Sequence, residues 1–185
     1  MAPSGDGSTL VCGFQANDPS QILYLTSSSD GVAFTTPALG YPSMPMGGAP
    51  ALAYFTGGVY VAYQANDSSR ALTLASAGDG VNFDGPPRVF PGIAMGSAPT
   101  MAEFDGNLYV AFQANDPSHI LYVTTSDDGD VFTSPAKGYS GIQIGGAPAM
   151  AAFNEKLYVA FQANDPSHLL YVTSSSDGVN FTSPA

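Results

Sequence analysis

The stretch "FQANDPSHILYVTTSDDG" at residues 112–129 returns almost unchanged as "FQANDPSHLLYVTSSSDG" at residues 161–178. Two related versions begin at Phe14, "FQANDPSQILYLTSSSDG", and at Tyr63, "YQANDSSRALTLASAGDG". Successive copies are 49 residues apart, with no insertion or deletion between them. A fixed period of this length is typical of folds that use one supersecondary unit several times. We place the repeats at approximately 1–47, 48–96, 97–145 and 146–185, within a single domain.

Each repeat contains short segments with the composition of β-strands. In the last copy these are "APAMAAF" (147–153), "LYVAFQA" (157–163), "LLYVTSS" (169–175) and a weaker "NFTSPA" (180–185). Tyr, Val, Phe, Leu and Thr dominate the middle strands, and "NDPS" and "DG" are turn signals. Four antiparallel strands in a unit of about 40–50 residues describe a propeller blade. We therefore predict an all-β fold, a β-propeller of four four-stranded blades per chain, each of about 49 residues.

The closure of the predicted ring has two solutions. The first strand of copy 1 falls on "MAPSGD" (1–6), where Pro3 and Asp6 stand at the repeat positions of Met150 and Phe153. Either this segment completes blade 1, or the chain is half of a larger ring that a second chain completes. The second solution implies a homo-oligomer, and the sequence leaves both solutions open.

The charge of the chain limits its partners. Four Lys and Arg residues stand against fifteen Asp and Glu residues, for a formal net charge of −11. Because binding to phosphate backbones and anionic lipids depends on basic side chains, we expect neither nucleic-acid binding nor membrane insertion. A surface of Ser, Thr, Asn, Gly and Tyr suits neutral polar ligands. The start, "MAPSGDGSTL", predicts no signal peptide in this chain, and the localisation stays open.

Cys12 is the one cysteine of the chain. It shares a repeat position with Val61, Val110 and Val159, so we interpret it as a small core residue rather than a nucleophile.

The Gln-Ala-Asn-Asp tetrapeptide, here called the hook, occupies residues 15–18, 64–67, 113–116 and 162–165. In one interpretation it is structural: Asp begins a turn, Asn satisfies local backbone groups and Gln caps a blade interface. In the other it binds a ligand, because amides and carboxylates offer the donors and acceptors that sugar hydroxyls require. The sequence leaves both open.

Two further repeat positions accompany the hook. We expect Tyr41, Phe90 and Tyr139 to lie in the connectors between blades and to face the hook, where a ring could pack on a sugar. His119 and His168 share a position with Gln21 and Arg70. Because the two histidines lie on different blades, we expect them to contact ligand or solvent rather than a metal ion.

The turns "SSSDGVNF" (174–181) and "SSSDGVAF" (27–34) resemble the Asp box of sialidase-type propellers, with Phe in place of Trp. Residues 147–184 as a whole resemble the repeats of bacterial and fungal β-propeller lectins. The resemblance implies a propeller that binds carbohydrate, in which the Asp of each Asp–Gly turn ties the turn and the following Phe packs between strands. The residues given these roles are Asp30, Asp79, Asp128 and Asp177, with Phe34, Phe83, Phe132 and Phe181. The chain has no Trp, so a Trp-based sugar site is not implied.

The inventory of charged residues argues against an enzyme. A sialidase-like site needs three arginines, and the chain has two, Arg70 and Arg88. Another glycosidase needs two carboxyl groups in a cleft, one of them with a raised pKa. The carboxyl groups outside repeated positions fall mostly in predicted turns: Asp6, Asp84, Glu103, Asp105, Asp127, Asp130 and Glu155. We predict neither catalysis nor a cofactor, and the acidic turns give only a weak indication of calcium.

The sequence thus predicts a carbohydrate-binding lectin with several equivalent, shallow inter-blade sites for neutral sugars, acting by multivalency on glycans or glycoconjugates. The alternative is a non-catalytic structural or protein-interaction propeller, including an engineered repeat protein without a ligand. The predicted ligand-binding residues are Gln15, Asn17, Asp18, Tyr41, Gln64, Asn66, Asp67, Phe90, Gln113, Asn115, Asp116, His119, Tyr139, Gln162, Asn164, Asp165 and His168.

Overall fold

The structure is a computed structural model that describes residues 1–4, 7–36, 38–134 and 136–185. Asp6, one of the carboxyl groups considered above, lies outside the described residues. Fifteen β-strands and no helix occur in the described part of the chain. It follows that none of these residues forms a helix able to span a membrane.

The strands form four antiparallel sheets, and in each sheet they lie side by side in the order of the sequence. Blade 1 consists of β1 (Ala2–Pro3), β2 (Leu10–Gln15), β3 (Ile22–Ser28) and β4 (Leu39–Pro45). Blade 2 consists of β5 (Ala51–Phe55), β6 (Gly58–Gln64), β7 (Ala71–Ala77) and β8 (Arg88–Ala94). Blade 3 consists of β9 (Thr100–Phe104), β10 (Asn107–Gln113), β11 (Ile120–Ser126) and β12 (Lys137–Gln143). Blade 4 consists of β13 (Ala149–Phe153), β14 (Lys156–Gln162) and β15 (Leu170–Ser175).

These sheets are the blades of a four-bladed β-propeller, which confirms the predicted fold class. Three of the blades have four strands and the last has three.

The outer strand of each complete blade lies later in the repeat than the sequence predicts. β12 occupies most of the segment 137–146 around Tyr139, a residue that we expected to lie in a connector between blades. The segment 180–185, expected to be the fourth strand of blade 4, forms no strand, although Ala185 and Val172 exchange two backbone hydrogen bonds of 3.1 Å. The prediction was wrong because the Gly and Pro residues of the outer strands resemble loop signals, whereas an edge strand tolerates both. Tyr41, Phe90 and Tyr139 consequently lie in strands β4, β8 and β12, not in connectors.

Hydrophobic cores lie between successive blades, and the middle strands of blades 2 and 3 are covered on both faces. In β10, Leu108, Val110 and Phe112 belong to the core shared with blade 2, whereas Tyr109 and Ala111 belong to the core shared with blade 4. Alternate side chains of a strand point to opposite faces, so a strand buried on both faces is apolar throughout. Cores of this kind join blades 1 and 2, 2 and 3, and 3 and 4. Within the described ranges, no such core joins blade 4 to blade 1.

Candidate functional site

The hook lies where the second strand of each blade ends and the chain turns toward the third. Its Gln is the last strand residue, and its Asp begins the turn, with its backbone carbonyl accepting a hydrogen bond from the residue three positions later. The Asp Oδ1 also accepts the backbone N–H of the residue two positions later, at 2.8 Å in every copy. The donors are Ser20, Ser69, Ser118 and Ser167. The structural role proposed for the Asp of the hook is therefore present in all four blades.

Hydrogen bonds from these serines, first from the side chain and then from the backbone, lower the pKa of each hook Asp. A hydrogen bond donated to a carboxylate favours its charged form. These four groups are therefore acceptors at neutral pH, and none has the raised pKa of a general acid.

The residue that closes each turn has a left-handed backbone conformation. Gln21, Arg70, His119 and His168 have φ between 48° and 51°. Non-glycine residues rarely adopt this region, and the same conformation with three different side chains shows that the turn imposes it. All four side chains are exposed at the same end of the molecule as the hook.

The Gln of the hook joins two connectors. The side-chain amide of Gln113 donates to the carbonyl of Ile144, at the end of its own blade, and Gln15 and Gln64 do the same to Met46 and Met95. The backbone carbonyl of Gln113 accepts from Gly96 of the preceding connector at 2.8 Å. Since Gln64 and Gln113 are only 7% and 8% exposed, their amides are occupied inside the protein. Gln162 is exposed, because the three-stranded blade 4 has no outer strand followed by a carbonyl that could accept its amide.

This difference gives a matched pair of variants. We expect Gln113→Ala to lower the free energy of unfolding by about 1–3 kcal/mol, because it leaves the carbonyl of Ile144 without that donor. Gln162→Ala at the same repeat position should change it by less than about 0.5 kcal/mol. Urea unfolding followed by circular dichroism measures both. Equal effects for the two variants would contradict a structural role for the buried amide.

The Asn of the hook reaches toward the preceding blade. Asn66 Nδ2 donates to Gln21 Oε1 at 2.9 Å, and Arg70 Nη1 donates to Asn115 Oδ1 at 3.5 Å. Each pair joins a hook to the left-handed residue of the blade before it. The amides are exposed, so they remain accessible to a ligand.

The cleft between blades 3 and 4 brings a hook together with a neighbouring outer strand. It has a volume of about 430 Å³. Its polar lining comes from Asn164 and Asp165 of the hook and from Ser140 and Gln143 of β12. The rest of the lining is Gly141, Ile142, Phe161, Ala163, Tyr171 and Pro184. The Tyr171 and Phe161 rings stack with centroids 6.2 Å apart and an angle of 25° between their planes.

Sequence reasoning did not identify Tyr171, Gln143 or Ser140. A signal for the first existed, since Tyr24, Tyr122 and Tyr171 share one repeat position, with Thr73 in blade 2. The signal for Gln143 is weaker, because Pro45 and Ala94 stand at its position in the other blades. The residues at these repeat positions are therefore related but not identical from blade to blade.

The aromatic residues predicted to face the hook contact a different part of the next blade. The ring of Tyr139 packs edge-on against Phe181 with centroids 5.2 Å apart, and its hydroxyl donates to the carbonyl of Val179 at 2.8 Å. Tyr41 makes the same contacts with Phe83 and Val81, and Phe90 packs on Phe132. Burial, with a smaller contribution from Asp177, raises the pKa of Tyr139 to about 12. The structure thus places Tyr41, Phe90 and Tyr139 against Asp–Gly turns, outside the residues that line the cleft.

The Asp–Gly turns hold their own carboxylates. Asp177 Oδ1 accepts hydrogen bonds from Ser175 Oγ and from the backbone of Val179 and Asn180, at 2.7–2.8 Å. The backbone bond from Asn180 is the main cause of a lowered pKa for Asp177. Asp30 and Asp128 are held in the same way. Among the described residues, no three His, Cys, Asp or Glu side chains are grouped so that they could hold a metal ion.

The two arginines lie apart. Arg70 closes the turn that follows a hook, whereas Arg88 begins an outer strand and forms a 2.8 Å ion pair with Asp130 of the next blade. They belong to opposite ends of their blade, because one precedes β7 and the other follows the Asp–Gly turn at its far end. No arginine cluster for an anionic substrate can form from them.

No protein-family model and no curated protein sequence matches the chain. A solved structure of a protein of unknown function from Dyadobacter fermentans is 16% identical to it, with a TM-score of 0.70 over 100% of this chain and 66% of that one. The six-bladed lectin of Aleuria aurantia, which recognises fucose, is 15% identical, with a TM-score of 0.63 over 96% of this chain and 56% of that one. A GH43 β-xylosidase/α-arabinofuranosidase from a compost metagenome is 17% identical, with a TM-score of 0.59 over 95% and 70% of the two chains.

These identities show the fold alone. The chain spans between 56% and 70% of the length of these three structures. Propellers that bind sugars and propellers that hydrolyse glycosides both occur among the neighbours. The similarity of the Asp–Gly turns to the Asp box stays a resemblance.

Proposed function

We propose that the protein binds carbohydrate without hydrolysing it, through the polar clefts between its blades. The observation that carries this proposal is the cleft between blades 3 and 4, where the hook and the neighbouring outer strand line one cavity of about 430 Å³. Pockets for small ligands commonly have about 300–1,000 Å³. The Aleuria lectin, which is also a β-propeller, supports a sugar as the ligand.

The lining has the chemistry that a neutral sugar needs. Asn164 and Gln143 offer amide donors and acceptors, Asp165 an ionised acceptor, and Ser140 a hydroxyl. Tyr171 adds an aromatic ring on which the C–H face of a sugar can pack. Because Asp165 stays ionised and the protein carries a net charge of −11, the cleft disfavours anionic sugars.

We further propose that binding is multivalent. Hooks with Asn17, Asn66 and Asn115 recur in the other blades. Each of the four hooks is followed by a left-handed residue, such as His119 or His168, that can contact ligand at the rim of the site. In blades 1, 2 and 3, the Gln of the hook belongs to the site only through its support of the connectors. Several weak sites on one molecule raise avidity by about 10²–10⁴-fold on a surface that displays many copies of the sugar.

The carboxylates of the hooks and of the Asp–Gly turns are suited to accepting hydrogen bonds from a ligand rather than to donating a proton. All eight Asp residues of the hooks and the Asp–Gly turns have lowered pKa values, caused by hydrogen bonds within their own turns. Glycoside hydrolysis needs one carboxyl group whose pKa is raised, so that it can donate a proton.

A glycan array followed by competition with free monosaccharides tests the proposal. We expect Gln143→Ala and Asn164→Ala each to weaken binding of the selected neutral sugar by about 5- to 30-fold, since each removes about 1–2 kcal/mol of hydrogen bonding. The control is Asp127→Ser, which places the residue of the fourth copy at an exposed position of the Asp–Gly turn. A silent array, or unchanged affinity in both cleft variants, would refute the proposed site.

A further inference from the structure

Blade 1 carries an apolar face that every other blade buries. Phe14 is 43% exposed, whereas Tyr63, Phe112 and Phe161 at the same repeat position are 2–4% exposed. Leu10 and Cys12 on the same face of β2 are only partly buried. The expectation that Cys12 is a core residue like Val61 is therefore not met in a single chain. In blades 2, 3 and 4 this face packs against the preceding blade.

Blade 4 carries the opposite face, also uncovered. Leu170 is 73% exposed, whereas Leu23, Leu72 and Leu121 at the same repeat position are fully buried. Phe153 is 66% exposed, against 3% for Phe55 and 8% for Phe104. Val172 is exposed beside them, and in blades 1, 2 and 3 this face packs against the following blade.

The two uncovered faces are the two halves of one interface that the molecule already contains. Between blades 3 and 4, the positions of Phe153, Leu170 and Val172 are filled by Phe104, Leu121 and Val123. The positions of Leu10, Cys12 and Phe14 are filled there by Leu157, Val159 and Phe161. All six of these residues belong to a single buried core.

We propose that blade 4 of one copy packs against blade 1 of a second copy, head to tail, and thereby repeats the contact between blades 3 and 4. Such an interface is heterologous, so it builds closed rings or open chains of molecules. None of the six uncovered side chains is charged, and the net charge of −11 predicts that added salt strengthens assembly by screening repulsion.

Two smaller features fit the same contact. Tyr60 and Tyr109 cover Gly129 and Gly178 of the next blade, and Gly31 at that repeat position has open space above it. In the proposed contact, Tyr158 of one copy covers Gly31 of the other. His168 likewise comes beside Asn17 of the second copy, as Arg70 lies beside Asn115, so the partner copy gives the first hook its inter-blade neighbour. Assembly does not depend on sugar binding.

Sedimentation velocity of the 185-residue protein over a wide concentration range tests the proposal. We expect assemblies of two or more chains, and we expect the average sedimentation coefficient to rise with protein and salt concentration. Phe14→Asp and Leu170→Asp each remove one face and should each give single chains. An equimolar mixture of the two variants should form dimers and nothing larger, because each variant keeps the face that the other has lost. The control is Val131→Asp, which charges an exposed apolar residue outside both faces.

The reactivity of Cys12 provides a second measurement, because it is the one thiol of the chain and lies in the proposed contact. Alkylation should slow as the wild-type protein is concentrated and stay fast in Phe14→Asp. A wild-type protein that remains single-chained at every concentration overturns the proposal. So does assembly that Leu170→Asp abolishes and Phe14→Asp leaves intact, which would indicate pairing between β15 edges instead.

Discussion

Leu121→Ala should lower the free energy of unfolding by about 2–5 kcal/mol, the usual cost of removing a fully buried leucine side chain. Leu121 has no exposed surface and packs in the core between blades 3 and 4 with Ile142, Val159 and Phe161. Truncation leaves a cavity, because strands from two blades surround the side chain and relax only partly.

Leu170 is the matched control, since it has the same side chain at the same repeat position in a copy of nearly the same sequence. Residues 108–136 and 157–185 agree at 24 of 29 positions. Because Leu170 is 73% exposed, Leu170→Ala should change the free energy of unfolding by less than about 0.5 kcal/mol. Both substitutions belong in a Phe14→Asp background, so that assembly does not cover Leu170 in one sample and expose it in another.

Urea denaturation with equal m-values for the variants gives the comparison. A large effect of Leu170→Ala in single chains would show that blade 4 is covered by something within the same chain. Blade 4 would then carry no free apolar face for a second copy to cover.

The sequence predicted the fold well because the deciding signals are local. The β-rich segments and the Asp–Gly turns each depend on residues close together in the chain, and the 49-residue period is visible in the repeated sequence itself. The outer strands were missed because "KGYSGIQ" and its counterparts become strands only through pairing with the third strand of the blade. Gly and Pro there read as a loop until the partner is known.

The contacts around the candidate site were harder to predict, because they join residues that are distant in sequence. The amide of Gln113 binds a carbonyl 31 residues away, and the hydroxyl of Tyr139 binds one 40 residues away. Repetition marked the Gln position in four copies and the aromatic position in three, but it did not show which neighbour each side chain contacts. The same limit hid Tyr171, whose repeat position is typical of a strand residue packed in a core.

Gly178→Ala is the second substitution for which we expect a large effect, a loss of about 2–5 kcal/mol in the free energy of unfolding. Gly178 has φ of 69°, and a Cβ there would overlap the ring and hydroxyl of Tyr109 from blade 3. The left-handed conformation costs a non-glycine residue about 1–2 kcal/mol. Forcing atoms into a packed contact costs about 1–3 kcal/mol more.

Gly31→Ala separates the two causes. Gly31 has φ of 73° at the same turn position, but nothing lies within 4 Å of the point that a Cβ would occupy. Gly31→Ala should therefore lower the free energy of unfolding only by the cost of the left-handed conformation. That cost is about 1 kcal/mol, because alanine also restricts the unfolded chain. A double-mutant cycle completes the test: with Tyr109→Ala in place, Gly178→Ala should cost no more than Gly31→Ala. If Gly178→Ala cost the same with and without the Tyr109 ring, the contact between blades 3 and 4 would not be what requires glycine there. The glycine at this repeat position would then be required only by the left-handed conformation of the turn, as Gly31 is in a single chain.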